Sequence, residues 1–144
     1  MSAHFAKLVE MYRVAPINRF FQPRLVIEAG RAEVCIEVRE DFHHSAGAMH
    51  GSVYFKALDD ATFFAAQSLE SEVFVLTAHF EIDLLRPVVS GEIRAVAQVE
   101  EDGGRRLVAT GELFDSSGAL LARGSGQFAR GRTVLDPSVG YHLP

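Results

Sequence analysis

Residues 43–52, His43-His44-Ser45-Ala46-Gly47-Ala48-Met49-His50-Gly51-Ser52, followed at a distance by Asp59, hold the residue types from which a carbonyl-polarising site is built. Gly51 stands where a loop enters a helix. The first-turn N–H groups there lack an intrahelical partner and carry partial positive charge. Glycine lets a ligand atom come close to that backbone, so the position suits a donor for charge developing on a carbonyl oxygen. Taken alone, Gly51 reads more simply as an ordinary flexible helix entry. Asp59 shifts the balance, because an acid within an apolar helix is costly unless satisfied, and in a cleft its pKa rises through lost solvent. Asp60 stands beside it, about 100° away around the helix, with Lys56 four residues before it as an ion-pair partner. Asp60 is therefore expected at the surface and Asp59 in the site. Eight residues separate Gly51 from Asp59, a rise of about 12 Å at about 1.5 Å per residue. One subunit cannot bring both to the same carbonyl. Either the two are unrelated, or a second copy supplies its own Asp59 and a two-fold dimer holds two composite sites.

The elements that must position these residues follow from periodicity. Phe5, Leu8, Val9 and Tyr12 recur at helical spacing, predicting an amphipathic helix over about 3–13 that Pro16 ends. Leu25–Ala29 and Ala32–Val38 read as strands about Gly30, the second with Val34, Ile36 and Val38 on one face and Glu33, Cys35 and Glu37 on the other. Among those carboxylates Cys35 is a poor nucleophile. Ser52–Ser68 is apolar on most sides, the pattern of a helix buried in a domain. From Leu76 onward alternation predicts strands at 76–84, 91–99, 107–114 and 119–128, with Gly-bearing turns at Asp102-Gly103-Gly104 and Ser116-Ser117-Gly118. The plan is α+β, an antiparallel sheet curled around a long central helix. The tail over about 133–144 shows little pattern and is expected to be irregular.

Composition narrows the function classes. A chain of 144 residues, 48% hydrophobic, predicts one domain, 1–144, with apolar material enough for one core. No stretch approaches the ~18–20 apolar residues of a membrane span, and Lys7 and Glu10 interrupt any signal-peptide core. A formal net charge of -5 disfavours nucleic acid, whose phosphates need a basic surface. The single cysteine excludes an internal disulfide. The expectation is a soluble cytoplasmic protein. His43, His44 and His50 lack tight metal-ligand spacing, so no metal is expected. Arg105, Arg106, Arg123, Arg130 and Arg132 crowd the C-terminal third, where codon bias explains them or guanidinium forks hold phosphate.

The spacing of His50-Gly51-Ser52 and Asp59, nine residues after the histidine, resembles the hotdog-fold acyl-CoA thioesterases, specifically their phenylacetate-degradation-type branch. Thr77, Phe80, Ile82, Leu84, Arg86, Pro87 and Gly91 are similar to that family's strand after the central helix, and the resemblance runs from about Leu25 to Phe128. It implies a hotdog fold, paired through that strand into a homodimer and often a homotetramer, acting on acyl-CoA without a cofactor. It also implies that the Gly51 N–H polarises the thioester carbonyl, while Asp59 from the partner acts as general base or nucleophile. Thr77 holds the position of an assisting Ser or Thr, although strand propensity also explains a threonine there.

Two residues depart from the family pattern. His44 stands where the family usually has asparagine, and a histidine donates only in one tautomer or when protonated. Ser52 replaces the second glycine, where its hydroxyl suits a helix cap. These departures leave a non-catalytic acyl-CoA-binding or regulatory protein as the alternative. A hydratase or dehydratase on the same fold ranks behind both. Substrate contacts are expected from Met49, His50, Ser52, Phe55 and Phe63, with Leu58 beside them, and CoA phosphate contacts from Arg105, Arg106 and Arg130.

Overall fold

The apolar helix in the middle of the chain becomes the axis of the fold. The computed structural model describes residues 2–144. Helix α1 (Ala3–Val14) and the short α2 (Asn18–Phe21) precede strands β1 (Arg24–Glu28) and β2 (Arg31–Val38). Then come the central helix α3 (Gly51–Gln67) and strands β3 (Val73–Leu84), β4 (Gly91–Asp102), β5 (Arg106–Phe114) and β6 (Leu120–Val134). The six strands form one sheet in the order β1-β2-β4-β5-β6-β3, antiparallel at every pairing. Helix α3 lies against it and touches all six strands. This is the α+β hotdog arrangement.

Small residues let the helix sit close. Ala57, Ala61, Ala65 and Ala66 are fully buried along α3. On the facing strand, a Cβ at Gly111 would stand 3.2 Å from Leu58 Cδ2 and 3.3 Å from Thr62 Cγ2. The inward faces of β2 and β4 supply Val34, Ile36, Ile93 and Ala95, each at most 1% exposed. In β2 the division of faces follows the alternation, with Glu33, Cys35 and Glu37 outside. Burial, more than the flanking carboxylates, pushes the Cys35 thiol up.

Gln67 fixes the end of α3 to the start of β3. It is fully buried, and its Nε2 donates to Glu70 O and Val73 O at 2.9 Å each. Its Oε1 accepts from the Val75 backbone N–H at 2.9 Å. A buried amide with such complete pairing acts as a clamp. β3 accordingly starts at Val73, three residues before the expected Leu76, because pairing to β6 continues to Val73↔Val134. The same pairing draws Thr133 and Val134 into β6. Beyond them Leu135 is buried, a 3-10 turn spans Pro137–Val139, and the Tyr141 hydroxyl meets His4 Nδ1 at 2.7 Å. The expected irregular tail is thus partly strand and packs on α1.

Strand β3 lies at a sheet edge, with only β6 beside it. Its Leu76 and Leu84 are 55% and 54% exposed. Phe80, between them, turns inward over β6, where glycines make room: a Cβ at Gly124 would lie 2.7 Å from its ring.

Candidate active site

The loop before α3 is held by its own backbone. The His44 N–H donates to Ala48 O, the Met49 N–H to Val88 O and the His50 N–H to Phe42 O, each at 2.9 Å. His50 then takes the N-cap position in extended backbone, and its Nδ1 accepts from the Ser52 N–H at 3.0 Å. The Ser52 hydroxyl lies 2.8 Å from the same nitrogen. The cap is therefore His50, and the expected Ser52 cap is corrected: its hydroxyl braces the imidazole. His50 and Ser52 face a side cleft with Phe20, Phe21 and Phe42.

Gly51 is the first residue of α3, where its N–H has no carbonyl four residues back to bond. It opens into a small cleft with His44, Met49, Tyr54, Leu84 and Arg86. His44 Nδ1 accepts from the Ala46 N–H at 3.0 Å, which leaves Nε2 as the position for a proton. The exposed imidazole is thereby a hydrogen-bond donor toward solvent and this cleft. Met49 is 2% exposed and forms its floor.

Asp59 lies two turns further along α3, in a different cleft of about 510 Å³. Thr77 Oγ1 donates to Asp59 Oδ1 at 2.9 Å. The Gln67 clamp sets this meeting by fixing where β3 begins relative to α3. Burial pushes the Asp59 carboxyl up to about 6, the Thr77 hydrogen bond opposes that, the charge of Asp60 adds to it and Lys56 opposes it. A carboxylate so placed exchanges protons near neutrality, as a general base must. Phe63, Phe64 and Phe74 line the apolar side of the cleft. Tyr12, Ile17 and Asn18 from the N-terminal segment close it.

Asp60 is not at the surface. Its side chain is 14% exposed, with Lys56 Nζ at 2.7 Å from Oδ2 and the Tyr12 hydroxyl donating to the same oxygen at 2.5 Å. The Lys56 pair was legible from spacing. The burial comes with Tyr12 of α1, which packs beside α3 here, and it raises the Asp60 carboxyl above the ordinary aspartate range against the pull of Lys56 and Tyr12.

Other expected contacts separate. Phe55 points away from the Asp59 cleft, 40% exposed, and stacks edge-on against Phe80 with centroids 5.2 Å apart. Leu58 faces the sheet and is fully buried. Arg130 is held inside the fold: Nε donates to Glu70 Oε1 at 2.6 Å, and Nη1 reaches Asp102 Oδ1 at 3.3 Å and the Gly104 carbonyl. It braces the β4–β5 hairpin and is not a free phosphate fork. Arg106 Nη1 donates to Gln127 Oε1 at 3.0 Å, and Arg105 is exposed at the same hairpin. Spacing gave no sign of Tyr12 or Asn18 as cleft residues, since only tertiary packing brings α1 to α3. Among the described residues no cluster of three or more His, Cys, Asp or Glu side chains suits a metal ion. Nor is any described helix long and apolar enough to cross a membrane.

The model of the thioesterase superfamily matches residues 46–122, the second half of the loop, α3 and the strands through the start of β6. A protein of Saccharolobus solfataricus bearing the name "putative esterase" is 28% identical over 120 residues, covering 83% of this chain and 86% of its own. Among solved structures, a conserved protein of Pseudomonas aeruginosa is 28% identical with a TM-score of 0.76, covering 82% of this chain and 95% of that one. The E. coli PaaI protein from the phenylacetic acid degradation operon superposes with a TM-score of 0.82 at 21% identity, covering 92% and 99%. The matched region contains Gly51, Asp59 and Thr77, with His44 just before it, and the chain belongs to the thioesterase superfamily.

Proposed function

We propose that the protein hydrolyses the thioester of an acyl- or aryl-CoA, at two equivalent sites each assembled from two copies of the chain. The observation that carries this reading is the division of the chemistry along α3. Gly51 and His44 face one cleft and Asp59 and Thr77 face another, with about 12 Å of helix between Gly51 and Asp59. The exposed edge strand β3 spans the same interval, with Thr77 beside Asp59 and Leu84 Cδ1 beside Gly51. Antiparallel pairing of β3 with its own copy, centred between Thr77 and Leu84, lays the Asp59 end of one protomer over the Gly51 end of the other. Such pairing also covers the unpaired edge and its two exposed leucines.

In such a site the thioester oxygen accepts from the Gly51 N–H, with the α3 N-terminus favouring the developing negative charge. His44 Nε2 supplies a second donor where the related enzymes usually carry an amide. Asp59 of the partner subunit removes a proton from water as the water oxygen adds to the carbonyl carbon. The C–S bond then breaks, the proton returns to the leaving thiolate, and free acid and CoA result. Direct attack by the carboxylate, followed by hydrolysis of the anhydride, uses the same groups. Phe63 and the cleft around it receive the acyl or aryl group. Arg105 and Arg106 at the hairpin rim are the proposed partners of the CoA phosphates. The cytoplasm is the proposed compartment, and the phenylacetate-degradation-type branch the proposed place within the superfamily.

The test is release of free CoA from aryl-, short-, medium- and long-chain acyl-CoAs by the wild type and Asp59→Asn. Turnover that disappears in the variant supports the reading, and a variant as active as wild type overturns it. Saturable binding without turnover by the wild type supports instead the non-catalytic acyl-CoA-binding alternative. Subunit sharing is tested by mixing Asp59→Asn with Gly51→Pro chains, each inactive alone. Random reassortment makes half the dimers mixed, each with one intact site, and restores about a quarter of wild-type activity. No recovery after verified exchange overturns the shared site.

A further inference from the structure

Lys56 has a choice of two carboxylates. On a helix, residues three and four apart are neighbours, so Lys56 can reach Asp59 at i+3 or Asp60 at i+4. It takes Asp60: Nζ stands 2.7 Å from Asp60 Oδ2 and lies over the rings of Tyr12 and Phe21, 5.4 and 5.3 Å from their centroids. Its side chain is only 12% exposed. The Tyr12 hydroxyl donates to the same Asp60 oxygen, and Asp59 instead accepts from the Thr77 hydroxyl of β3. Lys56, Asp59 and Asp60 all line the same cleft, so the lysine that pairs with Asp60 has Asp59 within the same chamber.

We propose that Asp60, held by Tyr12, is a positioning residue that keeps Lys56 off Asp59, so that the Asp59 carboxylate stays unpaired and basic. This rests on Asp59 being the reacting carboxylate, as proposed above. The ionisable groups facing Asp59 across the cleft are Lys56 and Asp60 of α3 and Tyr12 of α1; β3 contributes the neutral Leu76 and Thr77, and the C-terminal turn Val139. An ammonium bonded to Asp59 would stabilise its charged form, lower its pKa and occupy the lone pair that must take a proton. The pairing of Lys56 with Asp60 prevents that, while the negative charge of Asp60 further disfavours ionisation of its neighbour. The N-terminal helix therefore acts on the chemistry through Tyr12 without touching a reacting atom.

The experiment follows Asp59 directly, by its side-chain carboxyl carbon signal in a pH titration of the full-length protein, beside the pH profile of kcat/KM. Asp60→Asn retains an acceptor for Tyr12 but removes the charge that holds Lys56. The Asp59 midpoint is expected to fall by about 1–3 pH units as Lys56 turns to it, with kcat reduced about tenfold because the base is weaker. Adding Lys56→Met to that variant removes the intruding cation, so the midpoint rises again and most of the lost kcat returns. Lys56→Met alone removes the cation that favours ionisation of Asp59 and moves the midpoint above the wild-type value. Tyr12→Phe, which disturbs the fold least, shifts the midpoint downward by less than Asp60→Asn. A merely structural role for Asp60 predicts that the double variant is no better than the single one. That result overturns the proposal, as does an Asp59 midpoint equal in wild type and Asp60→Asn. The midpoint is readable without turnover, so an active Asp59→Asn enzyme sinks the hydrolytic reading while this one is judged on its own.

Discussion

In the proposed mechanism the two ends of the Gly51–Asp59 stretch of α3 solve different problems. At Gly51 the useful group is a backbone N–H at a helix start, presented by a loop that is tied down by main-chain bonds and lies mostly in solvent. At Asp59 the useful group is a side chain in an apolar cleft, and its character depends on what surrounds it: burial, Thr77, Asp60 and Lys56. Polarising a carbonyl needs only position. A base poised near neutrality needs an environment, and the fold commits α1, β3 and the middle of α3 to making one.

The largest effect is expected at the environment-dependent end. Asp59→Asn keeps the shape but cannot take a proton, and should lower kcat by about 10²–10⁴-fold. Gly51→Pro deletes the N–H at the position where proline fits a helix, and the extended backbone at His50 suits a residue before proline. It should lower kcat by about 10²–10³-fold with an unchanged circular dichroism spectrum; a smaller loss would mean His44 carries most of the polarisation. Gln67→Leu strands the Val75 N–H and two carbonyls in the interior and should cost about 3 kcal/mol in denaturant unfolding. Thr77→Val removes a bond that favours the charged carboxylate, so Asp59 titrates above about 6 and the acid limb of the rate profile moves to higher pH. At pH 7 that is a loss of about two- to tenfold, because more of the base is protonated; a limb moving to lower pH would contradict the assignment. Arg105→Glu with Arg106→Glu should raise KM several-fold with little change in kcat, and an unchanged KM removes both from the CoA site.

Regions governed by local pattern were legible in the sequence. The face division of β2, the glycine-bearing turns and the all-round apolar α3 each follow from periodicity, and the order of elements follows from them. What could not be read depends on chain crossings. Asp60 has the same neighbours in sequence whether it faces water or Tyr12, and the contact that decides lies 48 positions away. Phe55 and Phe63 are alike in the sequence, yet one rests on Phe80 and the other lines the cleft. Arg130 looked free because its carboxylate partners, Glu70 and Asp102, come from two other parts of the chain. The Asp59–Thr77 bond required knowing where β3 starts, which the Gln67 side chain sets.

The Asp59 cleft is closed by Tyr12, Ile17, Asn18 and Val139, all outside the 46–122 segment that the superfamily shares. The cleft wall is therefore drawn from both parts of the chain, with Phe63, Phe64 and Phe74 inside the matched segment and these four residues outside it. Ile17 and Val139 lie outside every strand, so substitutions there remodel the chamber without disturbing the strand ladder or the Gln67 clamp. The chamber can thus change shape from its rim while Asp59 and Thr77 stay where the helix and the edge strand put them.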